Sequence, residues 1–265
     1  GRAIQNLINI ENDDMVKAFI CTQDLKDEEY VNSHYVIMAT KKGVVKKTSL
    51  EQYSRPRQNG INAISIREDD ELLEAKLTTG SSQIFLGLKS GKAIRFEEVK
   101  TRPMGRNASG VRGITLAHEK DEVIGMVAVH NFEEEILVVS ENGYGKRSSI
   151  EDYRITNRGG KGVKTISITD KTGGLVAIKN VSDSDDLMII NKSGIAIRMS
   201  VEDLRVMGRA TQGVRLINIK GNDSIAAVAK VMKDEDELDD IKTLDVDANE
   251  EDGTALDNDS AETKE

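Results

Sequence analysis

The residues with most to offer chemically are Arg158, Gly159, Gly160, Lys161 and Gly162, within RITNRGGKGVKTISI (154–168). Three glycines around two cations let the chain turn sharply and expose backbone N–H groups. Arg158 and Lys161 add positive charge at short range, which suits a row of phosphates. Gly-rich basic loops are common, but this one gains weight because the chain repeats its surroundings.

Four units follow one plan. Turn glycines Gly43, Gly91, Gly143 and Gly194 lie 48, 52 and 51 residues apart. Apolar strands enter them: YVIMAT (35–40), IFLGL (84–88), ILVVS (136–140) and LMIIN (187–191). Four residues past each glycine stands a cation: Lys47, Arg95, Arg147 and Arg198. In the last unit Ile195, Ile197 and Met199 alternate with Ala196, Arg198 and Ser200, which assigns Arg198 to the wet face of a strand. Fifteen residues past the glycine come Arg106, Arg158 and Arg209, with Arg57 their counterpart in a shorter first unit. Each has an upstream companion: Arg55, Arg102, Arg154 and Arg205. Gly-Val-cation follows in three units, at Gly110/Arg112, Gly162/Lys164 and Gly213/Arg215. Closing strands read INAISI, VRGITL, VKTISI and VRLINI. Linking strands sit between units (70–77, 121–129, 174–181 and 223–231), and the related MVKAFIC (15–21) precedes the first.

Four short strands per unit are the signature of a propeller blade. Only two Pro and no ten-residue helical period support an all-β class. Gly1–Ile10 (GRAIQNLINI) reads as the closing strand of an earlier unit, so the chain is expected to begin inside a longer array.

The net charge of −9 averages two unlike parts. Residues 233–265 hold 15 of the 46 acidic and 3 of the 37 basic residues, a net of −12; residues 1–232 keep 31 and 34, a net of +3. The tail has no sustained hydrophobic period and is expected to lack fixed structure. It serves either as a solubilising terminus or as a nucleic-acid mimic competing for the basic body. The expected domains are therefore 1–232 and the acidic tail 233–265. No run of about 18 apolar residues predicts a membrane helix, and no signal peptide is visible. The single Cys21 gives no internal disulfide and fits a reducing cytoplasm.

The offset-four cations have a plain structural explanation, since edge strands carry Lys or Arg to block aggregation. Four copies at one offset, joined by paired loop arginines, instead suggest a charged rim. Such a curved stripe holds duplex DNA by its phosphates and reads no bases. Bending a site of 20–30 bp costs roughly 1–6 kcal/mol, so many weak contacts are needed along the arc.

Other chemistry is not supported. His34, His118 and His130 with Cys21 show no metal-ligand spacing, and no metal site is expected. Tyr53 and Tyr153 lie ten residues past their glycines, where Leu204 fills the last slot, so the position is one of packing. Asp69–Asp70, Asp121–Glu122 and Asp183–Asp186 recur at turns and are expected to be solvated. No nucleophile–base set is found, and no catalytic residue is expected. The absence of Trp and only nine Phe and Tyr disfavour single-stranded nucleic acid, whose binders use stacking platforms.

ENGYGKRSSIEDYRITNRGGKGVKTISI, with MGRNASGVRGITL and MGRATQGVRLINI, closely resembles the C-terminal domain of the bacterial DNA gyrase A protein over residues 1 to about 232. The resemblance implies a β-pinwheel, a propeller-like disc of six blades with a basic outer rim around which DNA wraps. Four full blades are expected here. The family's hallmark box, roughly Gln-Arg-Arg-Gly-Gly-Lys/Arg-Gly, lies in a first blade; Thr156–Gly162 keeps Arg-Gly-Gly-Lys-Gly and resembles a degenerate copy. The resemblance further implies double-stranded DNA as partner and a gyrase B protein in an A2B2 assembly through a region outside this chain. It implies no cofactor in this part, ATP and Mg2+ being used elsewhere in the holoenzyme. A cytoplasmic, nucleoid-associated protein without membrane contact follows. The expected phosphate contacts are Arg57, Arg106, Arg158 and Arg209 with Lys47, Arg95, Arg147 and Arg198, and then Lys161, Arg112, Lys164 and Arg215. The corresponding C-terminal domain of topoisomerase IV, or a propeller-like protein-interaction module, remains an alternative.

Overall fold

A computed structural model describes residues 14–57, 59–219, 221 and 223–232. The tail 233–265 and the early closing strand 1–10 lie outside the described residues. The described chain is built from four antiparallel sheets, one per repeat. Each begins as a hairpin across a turn glycine: β1 (Tyr35–Thr40) with β2 (Val44–Ser49), β4 (Gln83–Leu88) with β5 (Lys92–Glu97), β8 (Glu135–Ser140) with β9 (Tyr144–Ser149), and β12 (Asp185–Asn191) with β13 (Ala196–Ser200). The linking strands β3 (Leu72–Thr78), β7 (Val123–Val129), β11 (Leu175–Val181) and β15 (Ile225–Met232) pair on the other side of the first strand. Because β3, β7, β11 and β15 also approach one another, they form the inner side of the array.

The outer edge differs from the sequence expectation. The closing segments are not strands of their own units. VRGITL contributes only β6 (Val111–Arg112), VKTISI only β10 (Val163–Lys164), and VRLINI only β14 (Val214–Arg215). Each pairs with the preceding sheet: β6 with β2, β10 with β5, β14 with β9. INAISI (61–66) forms no strand. Three sheets therefore have four strands and the last has three among the described residues. The sequence pattern thus overcounts the first repeat by one strand, and in the other three it carries no sign of which sheet receives the fourth.

Both faces of the first three hairpins are buried, because consecutive sheets stack, whereas β13 of the last is exposed. In β4, Ile84, Leu86 and Leu88 pack towards Ile37, Ala39 and Val45 of the first sheet, while Phe85 packs towards Ile136, Val138 and Tyr153 of the third. The period of two thus divides one strand between two cores. The far face of the first sheet is covered by a short helix, α1 (Glu28–Ser33), which the sequence pattern did not reveal. Asp27 caps it by accepting from the N–H groups of Glu29 and Tyr30.

Three equivalent glycines make the exchange of outer strands sterically feasible. Gly110, Gly162 and Gly213 have φ of +91°, +69° and +81°, and a Cβ there would lie 2.6, 2.6 and 2.5 Å from the carbonyl oxygens of Val45, Ala93 and Gly145 in the preceding sheet. Only glycine combines this backbone conformation with so close an approach. Gly162→Ala is therefore expected to destabilise the chain by about 1–3 kcal/mol. Urea unfolding monitored by circular dichroism checks it, and an unchanged midpoint would contradict the account.

Candidate nucleic-acid interface

The sequence placed two sets of cations on the rim, and the structure separates them. Lys47, Arg95 and Arg147 are only 4 %, 8 % and 8 % exposed. Each reaches across to the following unit and holds the short segment after its hairpin, a one-turn 3-10 helix for Lys47 and Arg95 and a turn for Arg147. Lys47 pairs with the fully buried Glu98 at 2.9 Å, whose other contacts come from Thr78 Oγ1 and the Ser82 N–H. Arg95 donates to the carbonyls of Ile150 (2.7 Å) and Tyr153 (2.9 Å) and to Gln83 Oε1. Arg147 donates to the Leu204 carbonyl and pairs with Glu135 and Asp183. The expectation that these three face phosphates is corrected: they are interior staples, since β2, β5 and β9 are covered on both faces. Arg198, on the outermost strand of the last sheet, is exposed and pairs with Asp186 at 2.6 Å.

Of the turn acids expected to be solvated, Asp69 and Asp183 are exposed, while the expectation is corrected for Asp121 and Asp186. Asp121 is buried and accepts from Ser90 N–H and Oγ and from the Ala117 and Glu122 N–H groups. Asp185 and Asp186 are also buried. These carboxylates close turns and ion pairs rather than face water.

The loop and outer-strand cations do lie on the outside. Arg57, Arg112, Lys161, Lys164 and Arg215 are exposed, and Arg106, Arg158 and Arg209 are half-buried. Two of the arginines brace the rim. Arg158 donates to the Lys100 and Arg112 carbonyls at 3.0 and 3.1 Å; Arg209 donates to the equivalent Asp152 and Lys164 carbonyls. A guanidinium has five N–H donors, so both keep donors for an anion. Arg215 donates to Tyr144 Oη at 2.9 Å, which draws the Tyr144 phenol below its usual range. Among the described residues none of these eight cations forms an ion pair with a carboxylate.

The basic loops are fixed by the preceding closing segment. The N–H groups of Ser65, Thr115 and Ser167 donate to the carbonyls of Ala108, Gly160 and Thr211 at 3.3, 2.9 and 3.1 Å. Ser65 Oγ and Thr115 Oγ1 add bonds to the Asn107 and Gly159 carbonyls. Beneath the Arg158–Gly162 loop, Ile94 supports Gly160, and a cleft of ≈ 230 Å³ opens beside Arg154 and Lys161. Tyr153 is wholly buried, and burial pushes its phenol up to about 12, in keeping with a packing role.

Sequence reasoning missed two residues, Lys46 and Lys146, both fully buried. Lys46 Nζ donates to the Ala63 and Arg106 carbonyls, and Lys146 Nζ to those of Gly208 and Arg209. The signal was present as a second cation beside Lys47 and Arg147, at a position where the other units have Ile94 and Ile197.

A family model described as DNA gyrase C-terminal domain, beta-propeller, matches residues 34–79, 89–130, 134–182 and 185–232. The chain belongs to the DNA gyrase C-terminal domain family. The DNA gyrase A protein of Staphylococcus aureus (strain MRSA252) is 45% identical over 262 residues, covering 98% of this chain and 29% of that protein. Its counterpart from strain NCTC 8325 / PS 47 is 47% identical over 239 residues, 89% of this chain and 26% of that protein. The chain thus spans under a third of these relatives. Among solved structures, a C-terminal domain of DNA topoisomerase IV aligns with TM-score 0.80 at 25% identity, covering 88% of this chain and 71% of that one. A DNA gyrase A C-terminal domain aligns with TM-score 0.76 at 24% identity, covering 87% and 75%. The four matched stretches of the gyrase family model fall on the four sheets, which fits an all-β pinwheel.

The staples and the rim can be distinguished experimentally. Lys47→Met leaves Glu98 buried without its counter-ion and is expected to cost about 3–5 kcal/mol. Adding Glu98→Leu should recover most of that loss. Denaturant titration of the single and double variants checks this; a single variant as stable as the parent would return Lys47 to the rim.

Proposed function

We propose that this chain is the DNA-wrapping module of a gyrase A protein. It bends duplex DNA around its outer edge and is not catalytic by itself. The observation that carries this is a row of eight cations on repeated loops and outer strands, none neutralised by a carboxylate among the described residues. Uncompensated charge at repeated positions favours a repeated polyanion, and phosphate contacts alone require no base recognition. In the whole protein the module acts with ATP-driven strand passage, alongside a gyrase B protein in an A2B2 assembly, to introduce negative supercoils. ATP and Mg2+ are handled outside this chain. The protein works in the cytoplasm, on the nucleoid. A second reading, crossing selection in a topoisomerase IV, is favoured by the TM-score of 0.80 to that enzyme's domain.

Relaxed circular plasmid, treated with a nicking-closing enzyme in the presence of the chain, separates the readings. Positively supercoiled products that fade with salt are expected. Binding without a topological shift would favour the topoisomerase IV reading, and no binding would point to a protein partner.

Two further outcomes follow from the charges. Replacing Arg112, Lys164 and Arg215 by Gln should lower the slope of log K against log salt by about 3, as each lost phosphate contact removes about 0.9. Fluorescence anisotropy with a labelled duplex at several salt concentrations measures it. Removing residues 233–265 should tighten binding several-fold at low salt, because a tail of −12 competes with DNA for a body of +3. Equal affinities would discard that competition.

A further inference from the structure

The two buried lysines are not needed to join the sheets. Ile94 occupies the same position in the second unit, and the staples and exchanged strands already make the connection. What Lys46 and Lys146 touch is the basic loop of the following repeat. Lys146 Nζ lies 2.5 Å from both the Gly208 and Arg209 carbonyls; Lys46 Nζ binds the Arg106 carbonyl and, at 2.5 Å, that of Ala63. Arg106 and Arg209 are the loop arginines assigned to phosphate. Each ammonium therefore sits directly behind a DNA-facing residue.

We propose that Lys46 and Lys146 are positioning residues for DNA binding, their buried ammonium groups fixing the Arg106 and Arg209 loops and being completed electrostatically by the phosphates that those loops bind. This rests on the DNA-binding role proposed above. The charged group facing Lys46 is Arg106, and the Tyr53 hydroxyl, uncharged and with its pKa raised further by burial, shares the Ala63 carbonyl with it. Those facing Lys146 are Asp152 and Arg209. Lys46 has no carboxylate partner among the described residues, so its charge lacks a counter-ion until an anion arrives.

Burial lowers both amines, each to about 8; the Arg106 charge adds to the lowering at Lys46, whereas at Lys146 Asp152 opposes it and Arg209 adds to it. The sign of the linkage then differs between folding and binding. Between about 8 and the ordinary 10.5 the unfolded chain holds these protons and the folded chain does not, so folding stability rises with pH across that window. DNA acts oppositely. Phosphates favour the charged amine and raise its pKa in the complex, so binding takes up protons near pH 8. Affinity is full below that value and falls as pH climbs through the bound-state pKa. A rise of half a unit at each lysine gives about a tenfold loss of affinity.

The test measures binding of the complete 265-residue chain to a labelled duplex from pH 6.5 to 9.5 at fixed salt. The parent should lose about tenfold above pH 8, while the Lys46→Met/Lys146→Met variant should be weaker at pH 7 and flat with pH. Should that variant fail to fold, calorimetry of the parent at pH 8 in two buffers of different ionisation enthalpy reads proton uptake directly. A flat parent profile, a step that survives in the folded variant, or zero proton uptake overturns the lysine assignment and leaves DNA binding intact. Absence of parent binding at pH 7 and low salt overturns the DNA-binding role and this inference with it.

Discussion

The structure depends on an exchange of backbone hydrogen bonds between neighbours. Without help, each hairpin would present an unpaired strand edge, with N–H and C=O groups that need partners and invite aggregation. The next repeat covers that edge with two residues: Val111–Arg112 on β2, Val163–Lys164 on β5, Val214–Arg215 on β9. Two residues suffice because further bonds extend the seam. Gly113, Thr165 and Leu216 donate to the carbonyls of Gly43, Gly91 and Gly143, the turn glycines of the sheet being completed. The same crossing carries a cation to the outermost position every time. Edge protection and display of charge are therefore achieved by one dipeptide.

Electrostatic segregation follows from this arrangement. The described body has nearly as many acids as bases, yet the acids are drawn inwards or into turns. Glu98 is consumed by Lys47, Asp183 and Glu135 by Arg147, and Asp121 by a cluster of N–H groups. Surface acids also pair with lysines away from the loop cations, as in Lys41–Glu71 and Lys89–Glu122. A weak net charge thus coexists with eight loop and outer-strand cations whose side chains form no ion pair with a carboxylate among the described residues. At a Debye length of about 8 Å in physiological salt, that local imbalance matters more to a bound polyanion than the sum over the chain.

Most of the fold could be read from the sequence because repetition amplifies weak signals. Four glycines at nearly equal spacing, each followed by an apolar-to-basic strand, fixed the unit length and the β class. Three things were hidden. Strand exchange was hidden because Gly-Val-cation looks the same whichever sheet receives it. The helix Glu28–Ser33 was hidden because six residues give too little period. The burial of Lys47, Arg95 and Arg147 was hidden because alternation reports a wet face only when one face is wet. In β2 the burial runs through VVKKT without a break, so the rule that placed Arg198 outside fails for its three equivalents.

Repetition also conceals where units differ, and the basic loops illustrate this. All three described loops hang from the same N–H, that of Ser65, Thr115 or Ser167. Beneath them the support changes from Lys46 to Ile94 to Lys146. Where the support is isoleucine, the loop above it carries Arg158-Gly159-Gly160-Lys161-Gly162, and Ile94 Cδ1 would stand 3.4 Å from a Cβ at Gly160, an ordinary van der Waals contact. Where the support is lysine, the loops read Arg106-Asn107-Ala108-Ser109-Gly110 and Arg209-Ala210-Thr211-Gln212-Gly213, with no second cation. The positive charge present at each station is therefore similar, but in two stations one unit of it lies underneath the loop and in the third it lies at the surface as Lys161. On the DNA-binding role proposed above, each station offers a phosphate a similar formal charge, while only the buried version makes that charge depend on a titrating group held in the interior.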